Sequence, residues 1–290
     1  MTIPKGFEDL VKLCMKEQPA KPKTVEEMWD KFLRIVFMGG KRSDPEITFI
    51  INMLKTQKLL DMDYVRKTDG EDWREAVDKI LDERMKRIQD EDILIMLRDF
   101  KKELFRVSAS IKGSARFFGK SEMSPQNIGK MLDGKEKTWE FIENLAVDED
   151  VSNIKYTKII IWLHSIGYGD DFCPPSYQTK NFINEVYGYY KFYEDDKYFM
   201  KKAEEFAENL KKKVKNATTR DVAMAIFFYV TLKNMLPPRT PEKKRFSSAI
   251  VIKFFKAKKL TIKSLSERLG DSESRESLME SFYEFVHKSI

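Results

Sequence analysis

Apolar residues recur at three- and four-residue spacing along almost the whole chain, and no stretch alternates apolar and polar residues between hairpin turns. The first pattern is typical of amphipathic helices, and the lack of the second argues against strands. In the run 71–88, for example, Trp73, Val77 and Leu81 share one helical face, and Pro237-Pro238 interrupts the pattern near the C-terminus. We therefore predict an all-α protein, a two-lobed helical bundle of roughly twelve to fifteen helices.

Side-chain caps mark the predicted helix starts. Thr24 followed by Glu27 matches a capping box and predicts a helix through about Met38. Ser124-Pro125 predicts a short helix, and Thr240-Pro241 predicts the start of the helix that carries RFSSAIVIKFFKAKK. Residues 91–118 keep their apolar spacing throughout, which indicates helix.

The scarcity of cysteine and histidine excludes several kinds of site. The 290 residues include two cysteines and two histidines, too few for a zinc finger, a four-cysteine cluster or a histidine-rich metal centre. No P-loop or dinucleotide-binding glycine motif occurs either. We therefore predict no metal and no cofactor, and an enzyme built on this chain would use Lys, Asp, Glu, Ser or Tyr.

The charge is mildly basic. The formal net charge is +6, which permits an anionic partner without marking a dedicated nucleic-acid binder. The Lys and Glu content would also suit a thermophile. No apolar run reaches the roughly 18 residues of a membrane span, and the first residues do not form a signal or transit peptide, so the expected location is cytoplasmic, without a membrane partner.

The most informative stretch is 145–186, LAVDEDVSNIKYTKIIIWLHSIGYGDDFCPPSYQTKNFINEV. A helix, a polar hairpin, a second helix with a lysine, a Pro-Pro loop and a third helix follow one another. This order resembles the helix-hairpin-helix DNA glycosylases, including endonuclease-III-like enzymes and archaeal 8-oxoguanine glycosylases. The resemblance covers about 25–236 in pattern, places the hairpin at about 137–168, and implies a glycosylase-like core over 1–236 with 237–290 as a C-terminal helical extension.

The resemblance implies a base-excision N-glycosylase, with or without AP-lyase activity, that acts on damaged duplex DNA. Lys158 matches the nucleophile, which must be neutral to attack a sugar, and Lys155 is the backup. Ser176 stands in the slot of the family's aspartate, so Asp171 becomes the candidate carboxylate. The candidate base pocket, which must hold an extruded base, comprises Tyr156, Trp162, Phe172 and Tyr177. The candidate DNA-contacting residues are Lys112, Arg116, Lys120, Lys180, Lys243, Lys244 and Arg245.

Each of these residues also suits a structural role. A lysine such as Lys158 can snorkel from a buried helix, Ser176 can serve as an N-cap, and aromatic residues at helical spacing usually form core. The hairpin VDEDVSNI has no glycine and carries three acids, which would repel phosphate. The first alternative is therefore a glycosylase-like module that binds DNA or a protein without chemistry.

The C-terminal sequence supports a second alternative, a recombinase or plasmid-type helical DNA-binding protein. Arg245, Leu269-Gly270 and Tyr283 resemble the order of catalytic residues in tyrosine recombinases. Asp271 stands where the family has histidine, and its first arginine motif and strand lysine are not visible upstream.

Overall fold

The computed structural model describes residues 3–17, 19–38, 44–120, 123–149, 151–188 and 195–289, except for the side chains of Lys120, Ser272 and Glu273. Over these ranges the chain forms seventeen α-helices and no β-strand, which confirms the predicted all-α class. None of these helices combines the length and the apolar character needed to cross a membrane. The helices are α1 (Phe7–Cys14), α2 (Val25–Phe37), α3 (Asp44–Thr56), α4 (Met62–Lys67), α5 (Gly70–Met85), α6 (Glu91–Lys102), α7 (Leu104–Lys120), α8 (Pro125–Met131), α9 (Lys135–Val147), α10 (Tyr156–Ser165), α11 (Tyr177–Tyr187), α12 (Asp196–Lys211), α13 (Thr219–Met235), α14 (Pro241–Arg245), α15 (Ser248–Ala257), α16 (Ile262–Gly270) and α17 (Ser272–Ser289).

The residues predicted to cap helices lie at the observed helix starts. The Thr24 hydroxyl accepts the Glu27 N–H at 3.1 Å, and the Glu27 carboxylate accepts the Lys23 N–H rather than that of Thr24. Ser124 caps α8 by accepting the Asn127 N–H. These bonds satisfy backbone donors that have no partner inside the helix, which explains why local sequence predicts helix starts well.

Two stretches predicted to be helical are each divided. The stretch 91–118 is broken at Glu103, whose N–H bonds to the Phe100 carbonyl before α7 begins. The apolar spacing does not reveal this division, because the break leaves the spacing unchanged. Thr240-Pro241 likewise opens only the five-residue α14, and the apolar helix α15 starts separately after Ser247.

The chain divides into two compact units. We call Lys21–Ile166 the central unit, and Met1–Ala20 together with Gly167–Ile290 the terminal unit. The division falls near residues 20 and 166. The predicted extension 237–290 lies within the terminal unit and contributes Val251 and Phe254 to its core.

Aromatic packing forms the core of the central unit, which contains α2 to α10. Phe118 of α7 lies edge-on to Phe32 of α2 at 4.8 Å and to Trp162 of α10 at 5.4 Å between ring centroids. Trp29 and Phe141 extend the cluster on either side. Edge-on aromatic pairs add to the free energy of burial, so this cluster fixes α10, the helix that carries Lys158.

The terminal unit is organised around α1, which packs against α13 and α15. Phe7 is fully buried and stacks on Phe182 of α11 at 4.9 Å. Gly6 precedes α1 with a φ of +79°, and a Cβ there would lie 2.9 Å from the Ala249 nitrogen. Both the left-handed backbone and this close approach require glycine, since any side chain would push α15 away.

Candidate functional site

Lys158 occupies the third position of α10, immediately before the buried Ile159 and Ile160. The N-cap of α10 is Lys155, which makes no side-chain capping bond, and the first turn contains no acid. Cations at a helix N-terminus oppose the helix dipole, whereas an anion there would be stabilised. The backbone N–H groups at the start of α10 therefore favour a phosphate, whereas the three acids in the preceding sequence 148–150 oppose one.

Burial lowers the pKa of Lys158 from its ordinary value to about 8. Removal of the ammonium from water is the largest cause, the positive charge of Arg106 adds to it, and the negative charge of Glu103 opposes both. A minor but appreciable fraction of the Lys158 amine, about one fifth, is therefore neutral near physiological pH. This is the property that an attacking amine requires.

Glu103 and Arg106 are the charged residues that sequence reasoning missed at this site. They form an ion pair with each other where α6 gives way to α7, and both are about one third exposed. The i, i+3 spacing of an acid and a base is visible in the sequence, but it occurs on many solvent-exposed helix faces. Only the tertiary structure brings the pair close enough to act on Lys158.

Lys155, the backup nucleophile, has a different environment. Its Nζ donates to the Ala146 carbonyl at 2.6 Å, at the C-terminal end of α9. A lysine there complements the negative end of the helix dipole and helps to hold α9 and α10 together. This contact favours a structural role for Lys155.

We expect Lys158→Met to stabilise the protein by about 2 kcal/mol at pH 7, because it removes a charge that is partly deprived of water. The folded pKa lies below the unfolded one, so the cost of the charge is full below pH 8. As pH rises above 8, the folded protein loses this proton first, and the advantage of the variant shrinks. Urea denaturation at pH 7 and pH 9.5 measures both effects. The exposed Lys130→Met is the control, and equal effects of the two substitutions would contradict the prediction.

The predicted acid and the residue in its slot belong to the terminal unit, whereas Lys158 belongs to the central unit. Asp171 is exposed. The neighbouring Asp170 forms an ion pair at 3.0 Å with the buried Arg220 of α13. Ser176 caps α11 by accepting the Thr179 N–H, which is the structural role considered for it from sequence.

The four predicted base-pocket residues differ in exposure. Trp162 and Phe172 are buried and present no ring face to solvent. Tyr177 is 68% exposed, and Tyr156 is half-buried and stacks on Trp139 of α9 at 5.8 Å. An extruded base needs an accessible ring, so our proposal below does not use Trp162 or Phe172.

Several predicted DNA-contacting amines already have partners within their own unit. Lys112 donates to the Thr68 carbonyl, Lys180 pairs with Asp196 at 2.7 Å, and Lys243 donates to the Leu236 carbonyl. A phosphate contact by these amines would have to replace those bonds. Arg116, Lys244 and Arg245 are exposed, and the side chain of Lys120 lies outside the described residues.

The recombinase-like residues lie in the terminal unit. Tyr283 is 40% exposed and stacks on His287, which hydrogen-bonds to Glu242 at 3.0 Å. Asp271, at the position expected to be histidine, accepts the Ser274 N–H in the first turn of α17. Hydrogen bonding to Ser274 lowers the pKa of Asp271, which favours a charged capping group.

Lys158, partly desolvated at a cationic helix start beside an ion pair, is therefore the strongest candidate for chemistry among the described residues. Comparison of the chain with protein-family models, curated proteins and solved structures gave no match.

Proposed function

We propose that the protein acts on damaged DNA as an N-glycosylase with AP-lyase activity, and that Lys158 forms a Schiff base with the sugar. The observation that carries this proposal is the lowered pKa of Lys158 at a helix start that attracts anions. The resemblance of 145–186 to the hairpin region of the glycosylases is independent support. The AP-lyase activity has more direct support than the glycosylase activity, because a ring-opened abasic sugar already carries an aldehyde with which an amine can react.

The lyase reaction begins when the neutral Nζ of Lys158 attacks C1′ of the ring-opened abasic sugar. The N–C1′ bond forms as the carbonyl π electron pair moves to oxygen. That oxygen takes one proton from the attacking amine and one from solvent and leaves as water, which gives the protonated Schiff base. With a pKa of about 8, about one fifth of the amine is neutral at pH 7.4. An ordinary lysine would be neutral in only about one molecule in a thousand.

The charges around Lys158 suit a DNA strand. The N-terminus of α10 and the Arg106 guanidinium both favour a phosphate close to the amine. Binding of phosphate there would raise the pKa of Lys158. Removal of water as DNA covers the site would act in the opposite direction and lower this pKa. The pKa of about 8 in the free protein is therefore the starting point from which DNA would shift the reactivity.

Base excision requires an additional catalytic group that the lyase reaction does not need. Departure of a base develops positive charge on the sugar, which a carboxylate would stabilise. Asp171 is exposed and is the candidate from sequence, while Glu103 is the acid near Lys158 in the central unit and is paired with Arg106. Asp171 stays the candidate that the sequence resemblance implies for this role, and we treat Glu103 as a group that tunes the amine.

One observation favours the alternative of a DNA- or protein-binding module without chemistry. The Ser176 hydroxyl is occupied by the α11 cap and also hydrogen-bonds to the Thr179 hydroxyl at 3.2 Å. A serine in that role offers no negative charge to a sugar. Binding of abasic duplex without a covalent product would identify this alternative.

The test is borohydride trapping on a duplex with one abasic site, followed by peptide mapping of the adduct. We expect Lys158→Ala to lower the trapping rate by at least about 100-fold, because a nucleophile cannot be replaced by water in this step. The rate for the unsubstituted protein should rise with pH up to about 8 and then level off.

Lys155→Ala and Lys130→Ala serve as controls for indiscriminate lysine adducts. The first removes the adjacent amine, and the second removes an exposed amine on α8. Both should keep trapping within about threefold of the unsubstituted protein. An adduct that maps to another lysine, or that persists in Lys158→Ala, would refute the proposal. Parallel duplexes with 8-oxoguanine, uracil or hypoxanthine test for the glycosylase step.

A further inference from the structure

A groove with a volume of about 590 Å³ lies between α1 and α15 of the terminal unit. Its apolar floor comprises Leu13, Ile252, Phe255 and Leu260. Phe255 is almost fully buried, whereas the other three are partly exposed to solvent. The groove therefore presents apolar surface in a concave form, which a side chain of a partner could fill.

The rim of this groove is strongly basic. Lys12 and Lys16 follow one side, and Lys256 and Lys259 follow the other. Asp9 is the one acid among the lining residues, and it pairs with Lys12 at 3.0 Å. The amines of Lys16, Lys256 and Lys259 make no ion pair with any described residue, so positive charge is available on both sides of the floor.

Helix dipoles explain only part of this arrangement. Lysines near the C-terminal ends of α1 and α15 complement the negative ends of these helices. That effect does not account for the exposed apolar floor between the two rows of lysine. A row of cations on each side of an apolar channel is complementary to a helix with one apolar face and acidic flanks.

The other anionic partners fit this groove less well. DNA contacts through phosphates need basic side chains but no apolar floor. A membrane surface is best met by a convex or flat apolar patch that inserts into the lipid. A helix of about ten residues would match the roughly 15 Å length of α15.

We propose that the α1–α15 groove binds an acidic amphipathic helix of a partner protein. The apolar face of that helix would contact Leu13, Ile252 and Leu260. Its carboxylates would pair with lysines on both rims. This inference does not depend on the proposed chemistry, since Lys158 lies in the other unit.

The probe is a fluorescent helical peptide of about sixteen residues with leucine on one face and glutamate elsewhere. Binding by anisotropy should exceed that of a scrambled peptide of the same composition by at least about tenfold, and it should weaken as salt increases. The variant Lys16→Glu/Lys256→Glu should lower the affinity by at least about tenfold. Lys201→Glu/Lys215→Glu changes the same charge at exposed positions outside the groove and should alter it by less than about twofold.

Four results would overturn the inference: no binding of the acidic peptide, equal binding of the scrambled peptide, no effect of the groove variant, or equal effects of both charge variants. If the groove variant instead weakens binding to duplex DNA or phosphatidylserine vesicles but not to the peptide, the groove belongs to that other partner. Borohydride trapping at Lys158 is unaffected by any of these outcomes, so the two proposals fail separately.

Substitution of Lys259 should distinguish an effect on peptide binding from an effect on the stability of the protein. It has a φ of +51° just after α15, where the Leu260 N–H bonds to the Phe255 carbonyl, a helix ending that favours glycine. Lys259→Gly should therefore raise Tm while it lowers peptide affinity by about two- to threefold. A purely structural lysine would change Tm alone, and that result would count against a binding role for this rim.

Discussion

Arg220→Met is expected to destabilise the terminal unit by about 3–5 kcal/mol. The guanidinium is 2% exposed and lies 3.0 Å from Asp170 and 4.0 Å from Asp221, which is itself 1% exposed. The methionine fills similar space but leaves Asp221 as a buried carboxylate without its neighbouring cation. Its remaining bonds, from the N–H and the hydroxyl of Thr218, do not supply a full positive charge.

Urea denaturation followed by far-UV circular dichroism measures this loss. Hydrogen exchange of peptides from 167–290 shows where protection is lost. The exposed Arg268→Met of α16 is the matched control and should change stability by less than about 0.5 kcal/mol. If Arg220→Met proves equally mild, Asp221 is not dependent on its neighbour and our account of this cluster is wrong.

Trp162→Ala is expected to cost about 3–5 kcal/mol in the central unit. The indole is fully buried against Phe32 and Phe118, and its N–H donates to the Met28 carbonyl at 3.3 Å. Truncation would leave a cavity at the centre of the aromatic cluster and remove the hydrogen bond from the indole to the Met28 carbonyl. All four tryptophans lie within 21–166, so the fluorescence of the remaining three reports on this unit during urea denaturation.

Trp162→Phe keeps most of the ring packing and serves as the conservative control. It should lose about 1–2 kcal/mol, because only the hydrogen bond and part of the volume are removed. If Trp162 instead contacted an extruded base, both Trp162 variants would fold normally and covalent trapping on damaged duplex would fall. That pattern would restore Trp162 to the proposed site.

The candidate nucleophile Lys158 could be suggested from the sequence alone. Lys158 precedes an apolar run, and a lysine at the first turn of a buried helix loses water whatever the surrounding fold. The acid and base that modulate it could not be found in this way. Glu103 and Arg106 lie about fifty residues earlier, at a helix break that leaves the apolar spacing unchanged.

The predicted base pocket and DNA contacts likewise could not be judged from the sequence alone. Aromatic spacing does not distinguish Trp162, which is fully buried, from Tyr177, which is largely exposed. Lys112 and Lys243 look like free cations in the sequence, yet each donates to a carbonyl in the structure. Burial and hydrogen bonding depend on neighbours distant in sequence, and local pattern carries no information about them.

The sequence by itself determined the all-α class and several helix starts, because periodicity and caps act within a few residues, and it singled out Lys158 as a candidate nucleophile. The tertiary structure decided which residues share a core, since α1 joins α13 and α15 across most of the chain. It also decided that Asp170 rather than Asp171 pairs with Arg220, and that α1 and α15 enclose a basic groove. These features arise from contacts between distant segments, whose free energy is set by packing and charge in three dimensions.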